Sequence, residues 1–361
     1  MLARFAVMTF LAHRYGDAAI ALCRRDCGWY MEIAQTGYFA EPKTGELAGQ
    51  ANWAFFPLYP LLTAALALLG PPTVWAGYIA STLCCVGYAV VFARYVEATR
   101  PAAPLMMWVA LIAVWPLGFY QQLNYSEGLY ALLAIWALLA YHRQQWMPAA
   151  WASALLSATR PTGILLSLWV AARAAYEGVR EACLRAEPLS VIAARYLPPI
   201  AVAPLGLLAY AAFLGWRTGD PLAFSHVQIA WERDFGNPFV KLWGALSHWH
   251  LLRGLAELHE GQSLTVGGLI AVLGFAAALF LAWRRRYLEA YFCGFSVLIA
   301  LTTGTLSMQR FVGANPAFVL AVGDLVAMIG NRWLRGAALA AMALGQIALV
   351  KLWLDGAMGL D

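Results

Sequence analysis

The sequence predicts an all-α, polytopic integral membrane protein with about ten or eleven transmembrane helices and a juxtamembrane helix on the outer face. Of the 361 residues, 62% are hydrophobic and only 12% are charged, whereas soluble domains are about 45–50% apolar and about 25% charged. Apolar runs recur at lengths close to the roughly 20 residues that a spanning helix needs. Aromatic residues make up 14% of the chain, which is typical of aromatic belts at both membrane faces.

The apolar runs define the predicted helices within a single transmembrane domain that covers residues 1–361. They lie at about 1–12, 54–69, 73–93, 104–120, 127–141, 147–172, 196–215, 264–283, 287–306, 311–330 and 335–354. Pro57 and Pro60 open one of the shorter runs, so we expect 54–69 to be re-entrant or juxtamembrane. Pro161 and Gly163 are expected to divide 147–172 into two short helices.

The distribution of arginine indicates which loops face the cytoplasm. Arginines at run ends, such as Arg94, Arg143 and Arg284–Arg286, are typical of cytoplasmic loops. Placing these loops inside puts two long polar stretches, 24–53 and 216–262, on the outer face. The net charge of +5 is modest and no basic run exceeds three residues, so we expect no nucleic-acid partner.

The cysteines and acidic residues do not indicate a metal centre. No CxxC and no zinc-like His/Cys spacing occur, and no pair of carboxylates or histidines has ligand spacing. We therefore predict neither a metal nor another cofactor. Cys84 and Cys85 lie in an apolar run and should pack as small hydrophobic residues. Cys23 and Cys27 are near enough in sequence to approach each other, but we expect no disulfide between them.

The first outer loop carries a carboxylate, Asp26, at the start of a predicted interfacial helix. Trp29, Tyr30 and Gly37 follow Asp26 at helical spacing. Asp26 is either an N-cap, a position that Asp favours, or a general base at the membrane surface, and spacing alone favours the N-cap. The segment 52–60 then combines aromatic residues with prolines, and it is either an interfacial belt or a contact surface for a lipid or sugar beside Asp26.

Three further charged residues stand at run ends or inside an apolar run. Glu127 opens a predicted helix, where it either complements the positive helix end or is functional, because a carboxylate at membrane depth is costly. Arg160 lies inside the run 147–172; an arginine at mid-bilayer costs about 2.5–3.5 kcal/mol and needs a carboxylate or phosphate partner. Arg310 is either a second phosphate ligand or a snorkelling interfacial arginine.

The residues quoted so far resemble the motifs of the PIG-V-type mannosyltransferases, which are GPI mannosyltransferase II-like members of the GT-C superfamily of multi-spanning glycosyltransferases. The resemblance rests first on 26–38 (Asp-Cys-Gly-Trp-Tyr and onward) and on Ala-Phe-Phe-Pro-Leu-Tyr-Pro at 54–60. Shorter matches follow in the expected order: Tyr125-Ser126-Glu127, Ala-Thr-Arg-Pro-Thr-Gly at 158–163, Gly-Asp-Pro-Leu-Ala-Phe at 219–224 with Gln228 and Trp231, and Gln309-Arg310-Phe311.

The resemblance implies a polyprenyl-phosphate-linked sugar donor, most often carrying mannose, and a metal-independent, inverting transfer on the outer face. It implies an active-site acid in the first outer loop, a role that falls on Asp26. Cys27 and Gly28 depart from the small hydroxylic or alanine residue expected after that acid. The compact outer loops indicate a bacterial relative, in the inner (plasma) membrane with its site facing the periplasm or outside. The acceptor, whether glycan, lipid or protein, is not implied.

This interpretation assigns a role to each candidate residue. Asp26 is the catalytic base, and Arg160 and Arg310 bind the donor phosphate. The sugar- and acceptor-binding residues are Glu127, Gln228, Trp231, Trp29, Tyr30 and Gln309, and the lipid groove is formed by Phe55, Phe56 and Tyr59. The alternative function is a flippase or transporter of a lipid-linked sugar, which needs no base; the inverted repeats common in transporters are not visible in the sequence.

Overall fold

Every regular element in the described part of the chain is helical, as the sequence predicts. The computed structural model describes residues 1–102, 104–184, 187–231, 233, 235–247 and 260–356, with the backbone alone at 260–264. The helices are α1 Leu2–Ala12, α2 Ala18–Leu22, α3 Cys27–Thr36, α4 Leu58–Ala67, α5 Thr73–Thr99, α6 Leu105–Val114, α7 Glu127–His142, α8 Trp146–Ser157, α9 Ile164–Leu184, α10 Leu189–Val202, α11 Leu205–Thr218, α12 Ala223–His226, α13 Pro238–Ser247, α14 Glu260–Trp283, α15 Tyr287–Leu301, α16 Met308–Ala314, α17 Pro316–Met328 and α18 Arg332–Leu354.

Several helices are apolar enough to indicate a membrane location, but they are fewer than the ten or eleven expected. Within the described residues, α5, the segment 265–283 of α14, and α18 are each long enough to cross a bilayer. Up to six crossings result if three bent helix pairs each count as one span. Over the described residues, the number is three and not six if each pair counts as two separate helices, because Pro116, Pro204 and Pro316 stand at the three breaks. Other apolar runs form helices of only 10–17 residues.

Two expected interruptions are present where the prolines predict them. Helix α4 has ten residues, which is about 15 Å of helix and too short to cross a bilayer alone. Between α8 and α9, Pro161–Gly163 forms a single 3-10 turn. That turn places Arg160 in extended backbone between two helix ends, where its side chain can turn inward.

Helix α7 is largely enclosed by its neighbours and fixes the position of Glu127. It packs along α5 and α8, and twelve of its sixteen residues are buried. Gly128 permits the close approach of its first turn to the preceding segment, because a Cβ there would lie 2.3 Å from the carbonyl oxygen of Gln121. Glu127 is therefore held inside the protein with no exposed surface.

A disulfide joins Cys23 and Cys27, and the expectation that they stay unpaired is wrong. The chain reverses between the end of α2 and the start of α3, with Arg25 in the left-handed region at φ 55°. This reversal brings the two Cα atoms to 5.3 Å. Sequence spacing alone does not reveal it, because residues four apart are equally close in a continuous helix. The bridge fixes the short segment that contains Asp26.

A second group of buried charges lies away from the outer loops. Arg100 contacts Asp324 through Nε and Oδ1 at 2.8 Å and Glu289 through Nη1 and Oε1 at 3.2 Å. Tyr95 donates a hydrogen bond of 2.6 Å to Glu289. Asp324, a carboxylate within the apolar run 311–330, is thus paired with Arg100. These contacts tie the end of α5 to α15 and α17.

Candidate functional site

A cavity of about 270 Å³ brings together residues from both long polar stretches and from the broken helices. Its walls come from the start of α3, the turn after α8, the segment between α12 and Phe235, and the connection from α15 to α16. Eight residues selected from the sequence line it: Asp26, Tyr30, Phe55, Phe56, Arg160, Gln228, Trp231 and Arg310. The elements that supply them are far apart in sequence, so the tertiary fold assembles this site.

Asp26 is held at the cavity by an ion pair with Arg310. Its Oδ2 accepts a hydrogen bond of 2.7 Å from Nη1 of Arg310. The N-cap interpretation does not hold, because Asp26 occupies the cap position of α3 but its side chain makes no capping hydrogen bond. Since 31% of its side chain is exposed, the carboxylate reaches the cavity and is available to a ligand.

Arg310 connects two carboxylates and is not a snorkelling residue. While Nη1 contacts Asp26, Nε donates a hydrogen bond of 2.9 Å to Oε1 of Glu127. Its guanidinium lies 4.3 Å from the ring centroid of Tyr125, and only 4% of its side chain is exposed. Arg310 is thus largely committed to partners within the protein.

Arg160 faces the same cavity with fewer partners. Its Nη1 lies 3.1 Å from Oε1 of Glu127, but this contact lacks hydrogen-bond geometry. The guanidinium also lies 4.5 Å from the ring centroid of Phe311. The partner expected for Arg160 from the sequence is therefore a carboxylate, that of Glu127. Nη1 of Arg160 donates no hydrogen bond to a described residue, so it can donate one to a ligand.

The arginines set the protonation state of Asp26. Burial alone raises the pKa of a carboxyl group. Here the positive charges of Arg310, Arg233 and Arg160 outweigh burial and hold the pKa of Asp26 below its usual 3.8. Asp26 is consequently ionised at neutral pH, as a proton acceptor must be.

An aromatic cluster borders the cavity on the side of α3. The rings of Trp29 and Phe55 stack with centroids 5.8 Å apart, and Trp231 meets the edge of Trp29 at 5.6 Å. Tyr30 meets Phe55 edge-on at 5.1 Å and shares a 3.0 Å hydrogen bond with the hydroxyl of Ser126. Phe55 and Trp231 thus contribute apolar surface to the cavity lining, and Trp29 packs against both rings.

Four of the selected residues do not line the cavity. Glu127 lies behind the arginines and positions them. Trp29 packs behind Phe55. Tyr59 is fully buried and donates a hydrogen bond of 3.1 Å to the carbonyl of Gly77, so its placement in a lipid groove is wrong. Gln309 is buried beside Arg310 and points elsewhere, because adjacent residues on a helix face different directions.

The sequence analysis missed several lining residues. Arg233 and Ser307 stand on the cavity wall, as do Thr159, Thr162, Phe224 and Phe311. Arg233 gave no signal because a charge in a polar loop carries no cost of burial. The two threonines, Phe224 and Phe311 lie inside motifs already quoted for the resemblance, so those motifs were the signal that could have selected them. His226, a histidine of the polar stretch 216–262, does not line the cavity. Its Nδ1 lies 2.7 Å from Oδ2 of Asp220 on the exposed surface.

Among the described residues, no group of three or more His, Cys, Asp or Glu side chains is arranged to hold a metal ion. In comparisons with known proteins, neither a protein-family model nor a curated protein matches this chain. The GT-C assignment therefore continues to rest on the motifs quoted above.

Proposed function

We propose that this protein is a GT-C-type membrane glycosyltransferase that uses a polyprenyl-phosphate-linked sugar, most often mannose in the family that it resembles. The observation that carries the proposal is the ionised Asp26, held by Arg310 at a cavity that also exposes Arg160. A base and a cation facing one space suit a reaction in which a hydroxyl loses a proton and a phosphate leaves.

The proposed reaction is a single displacement. The acceptor hydroxyl gives its proton to Asp26 while its oxygen forms a bond to the anomeric carbon of the sugar. The bond from that carbon to the phosphate oxygen breaks, and its electron pair leaves with the lipid phosphate. Attack from the face opposite the phosphate inverts the anomeric configuration. Base catalysis of this kind contributes typically about 10²–10⁴-fold.

The cavity also has features suited to the sugar. Phe55 and Trp231 contribute aromatic surface to the cavity lining, which suits contact with a sugar, and Gln228 adds a polar side chain to the same lining. Glu127 is too deeply buried to meet a sugar hydroxyl. We therefore assign Glu127 the orientation of Arg160 and Arg310, which both contact its carboxylate.

The disulfide beside Asp26 supports an outward-facing site. Disulfides form and persist in oxidising compartments such as the bacterial periplasm and the cell exterior. Cys23 and Cys27 flank the segment that carries Asp26. The proposed location is accordingly a bacterial inner membrane with the cavity facing the periplasm or exterior.

The test is sugar transfer in nanodiscs from synthetic polyprenyl-phosphate-mannose to crude acceptor lipids and glycans. Asp26→Asn keeps the shape of the side chain but removes the proton acceptor, so transfer should fall by about 10²-fold or more. Glu46→Gln is the matched control, because Glu46 is an exposed acid of the same outer loop.

Equal transfer by wild type and a folded Asp26→Asn protein would exclude Asp26 as the base. A protein that moves the donor lipid between leaflets, with no transfer and no effect of Asp26→Asn, would instead be a flippase. Release of mannose to water by wild type but not by Asp26→Asn would retain the transferase, with water replacing the missing acceptor.

A further inference from the structure

Among the described residues that line the cavity or pair with its lining, positive charge exceeds negative charge. Asp26 and Glu127 supply two negative charges, and Arg160, Arg310 and Arg233 supply three positive charges. Arg310 contacts both carboxylates and Arg160 contacts one. Among the described residues, no carboxylate forms an ion pair with Arg233, so the positive charge left over belongs mainly to that residue.

Arg233 is anchored by its backbone while its side chain points into the cavity. Its backbone N–H donates a hydrogen bond of 3.2 Å to the carbonyl of Gln228. Its Nη2 has one polar contact, a long hydrogen bond of 3.4 Å to the hydroxyl of Ser307. Burial lowers the pKa of Arg233, and the attraction of Asp26 only partly opposes that effect.

We propose that Arg233 binds the phosphate of the donor lipid together with Arg160, and that Arg310 is a positioning residue for Asp26. This inference rests on the proposed function and revises the expected pairing of Arg160 with Arg310. An arginine fork donates two parallel hydrogen bonds to a phosphate. Arg233 has such N–H groups to offer, whereas those of Arg310 are engaged by Asp26 and Glu127.

The charges balance along the proposed reaction. Before transfer, the single negative charge of a sugar phosphodiester neutralises the one net positive charge of the site. During transfer Asp26 gains a proton, which raises the net charge of the site to two. The leaving phosphate monoester then carries up to two negative charges. Counted over the described residues, the site therefore stays close to neutral from donor to product when Arg233 is included.

The test compares Arg233→Gln with Arg217→Gln, which changes an exposed arginine that does not line the cavity. The KM for polyprenyl-phosphate-mannose and the inhibition constant of polyprenyl phosphate should each rise about tenfold in Arg233→Gln, equivalent to about 1.4 kcal/mol. Both constants should be unchanged in Arg217→Gln. Arg233→Lys keeps the charge but loses the fork, so it should raise both constants by a smaller factor.

A folded Arg233→Gln protein with wild-type values of both constants would overturn the inference and leave the transferase intact. Thermal unfolding of each variant separates loss of binding from loss of folding. If Arg233→Gln does not fold, the KM and the inhibition constant of Arg233→Lys test the inference in its place. If wild type shows no transfer, equilibrium binding of radiolabelled polyprenyl phosphate decides. If wild type binds polyprenyl phosphate and Arg233→Gln binds it more weakly, the inference about Arg233 is supported although the proposed transferase activity is not. If both proteins bind it equally, or if wild type does not bind it, the inference is overturned.

Discussion

The pKa of the Asp26 carboxylate is lowered by the same arginines that would attract the phosphate of a donor. In the free protein, Arg310, Arg233 and Arg160 keep its pKa low, and a low pKa makes a weak base. A bound phosphate brings a negative charge close to these arginines, so it offsets part of their effect on Asp26. In the proposed reaction, the pKa of Asp26 should therefore rise when the donor occupies the cavity, which makes Asp26 a stronger base when it must accept a proton.

This tuning predicts the pH dependence of transfer. Because Asp26 acts when it is ionised and its pKa lies below 3.8 in the free protein, kcat/KM should stay constant from about pH 7 down to about pH 4.5. It should fall only as the pH drops through the lowered pKa. The measurement is kcat/KM for the donor across this range; an acidic limb centred near pH 6 would contradict it.

The same ion pair contributes to stability in a defined pH range. A carboxyl group with a lowered pKa in the folded state stabilises that state above its unfolded pKa, which is about 3.9 for Asp. The contribution is lost as the pH falls through the folded pKa. Asp26→Asn should therefore remove a stabilisation that wild type has at neutral pH and lacks in strong acid.

At the scale of elements, the site depends on interruptions of helices. The break at Pro161 turns Arg160 inward, and the start of α7 carries Glu127. The sequence reveals such residues individually, because charges and prolines are conspicuous in apolar runs. It does not reveal that Asp26 and Arg310 touch, since 284 positions separate them and their contact depends on how the helices pack.

The disulfide between α2 and α3 should matter more for activity than for stability. A bridge that closes so short a loop contributes about 2 kcal/mol in the chain-entropy description. Replacing Cys23 and Cys27 by alanine should lower the melting temperature modestly but reduce transfer strongly, because the segment that holds Asp26 is released. Transfer and melting temperature measured with and without dithiothreitol check this.

The buried Cys84 and Cys85 provide the control for that experiment, since neither forms a disulfide. Their replacement by alanine should leave the response to dithiothreitol unchanged. A double variant of Cys23 and Cys27 that transfers sugar at the wild-type rate would show that the bridge does not position Asp26.

In the described part of the molecule, two clusters of ion-paired buried charge lie beside opposite ends of α15. Glu289 lies near the start of this helix, and Ala300 lies at the cavity near its end. Eleven residues of helix separate them, which is about 16 Å. The start of α15 also follows Arg284–Arg286, the basic cluster expected in the cytoplasm. In the proposed orientation, the cavity therefore lies toward the outer side of the membrane. The buried group of Arg100, Glu289 and Asp324, here called the Arg100 cluster, lies toward the cytoplasmic side.

The Arg100 cluster should support stability without affecting catalysis. Arg100→Met leaves Glu289 and Asp324 buried without their cation, which typically costs about 3–5 kcal/mol. Thermal unfolding in detergent should show a large loss of stability, while transfer per folded molecule stays near wild type. Arg94→Gln is the matched control, because Arg94 is exposed; a similar loss there would refute the importance of the buried contacts.

The length of α7 has a consequence for how a lipid substrate would approach. Its sixteen residues span about 24 Å, whereas the hydrocarbon core of a bilayer is about 30 Å thick. In the proposed orientation, with its far end at the cytoplasmic boundary, the helix stops about 6 Å short of the outer one. The cavity above Glu127 is then a recess in the hydrocarbon layer. A polyprenyl phosphate could lower its headgroup into that recess while its hydrocarbon tail stays among the surrounding lipids.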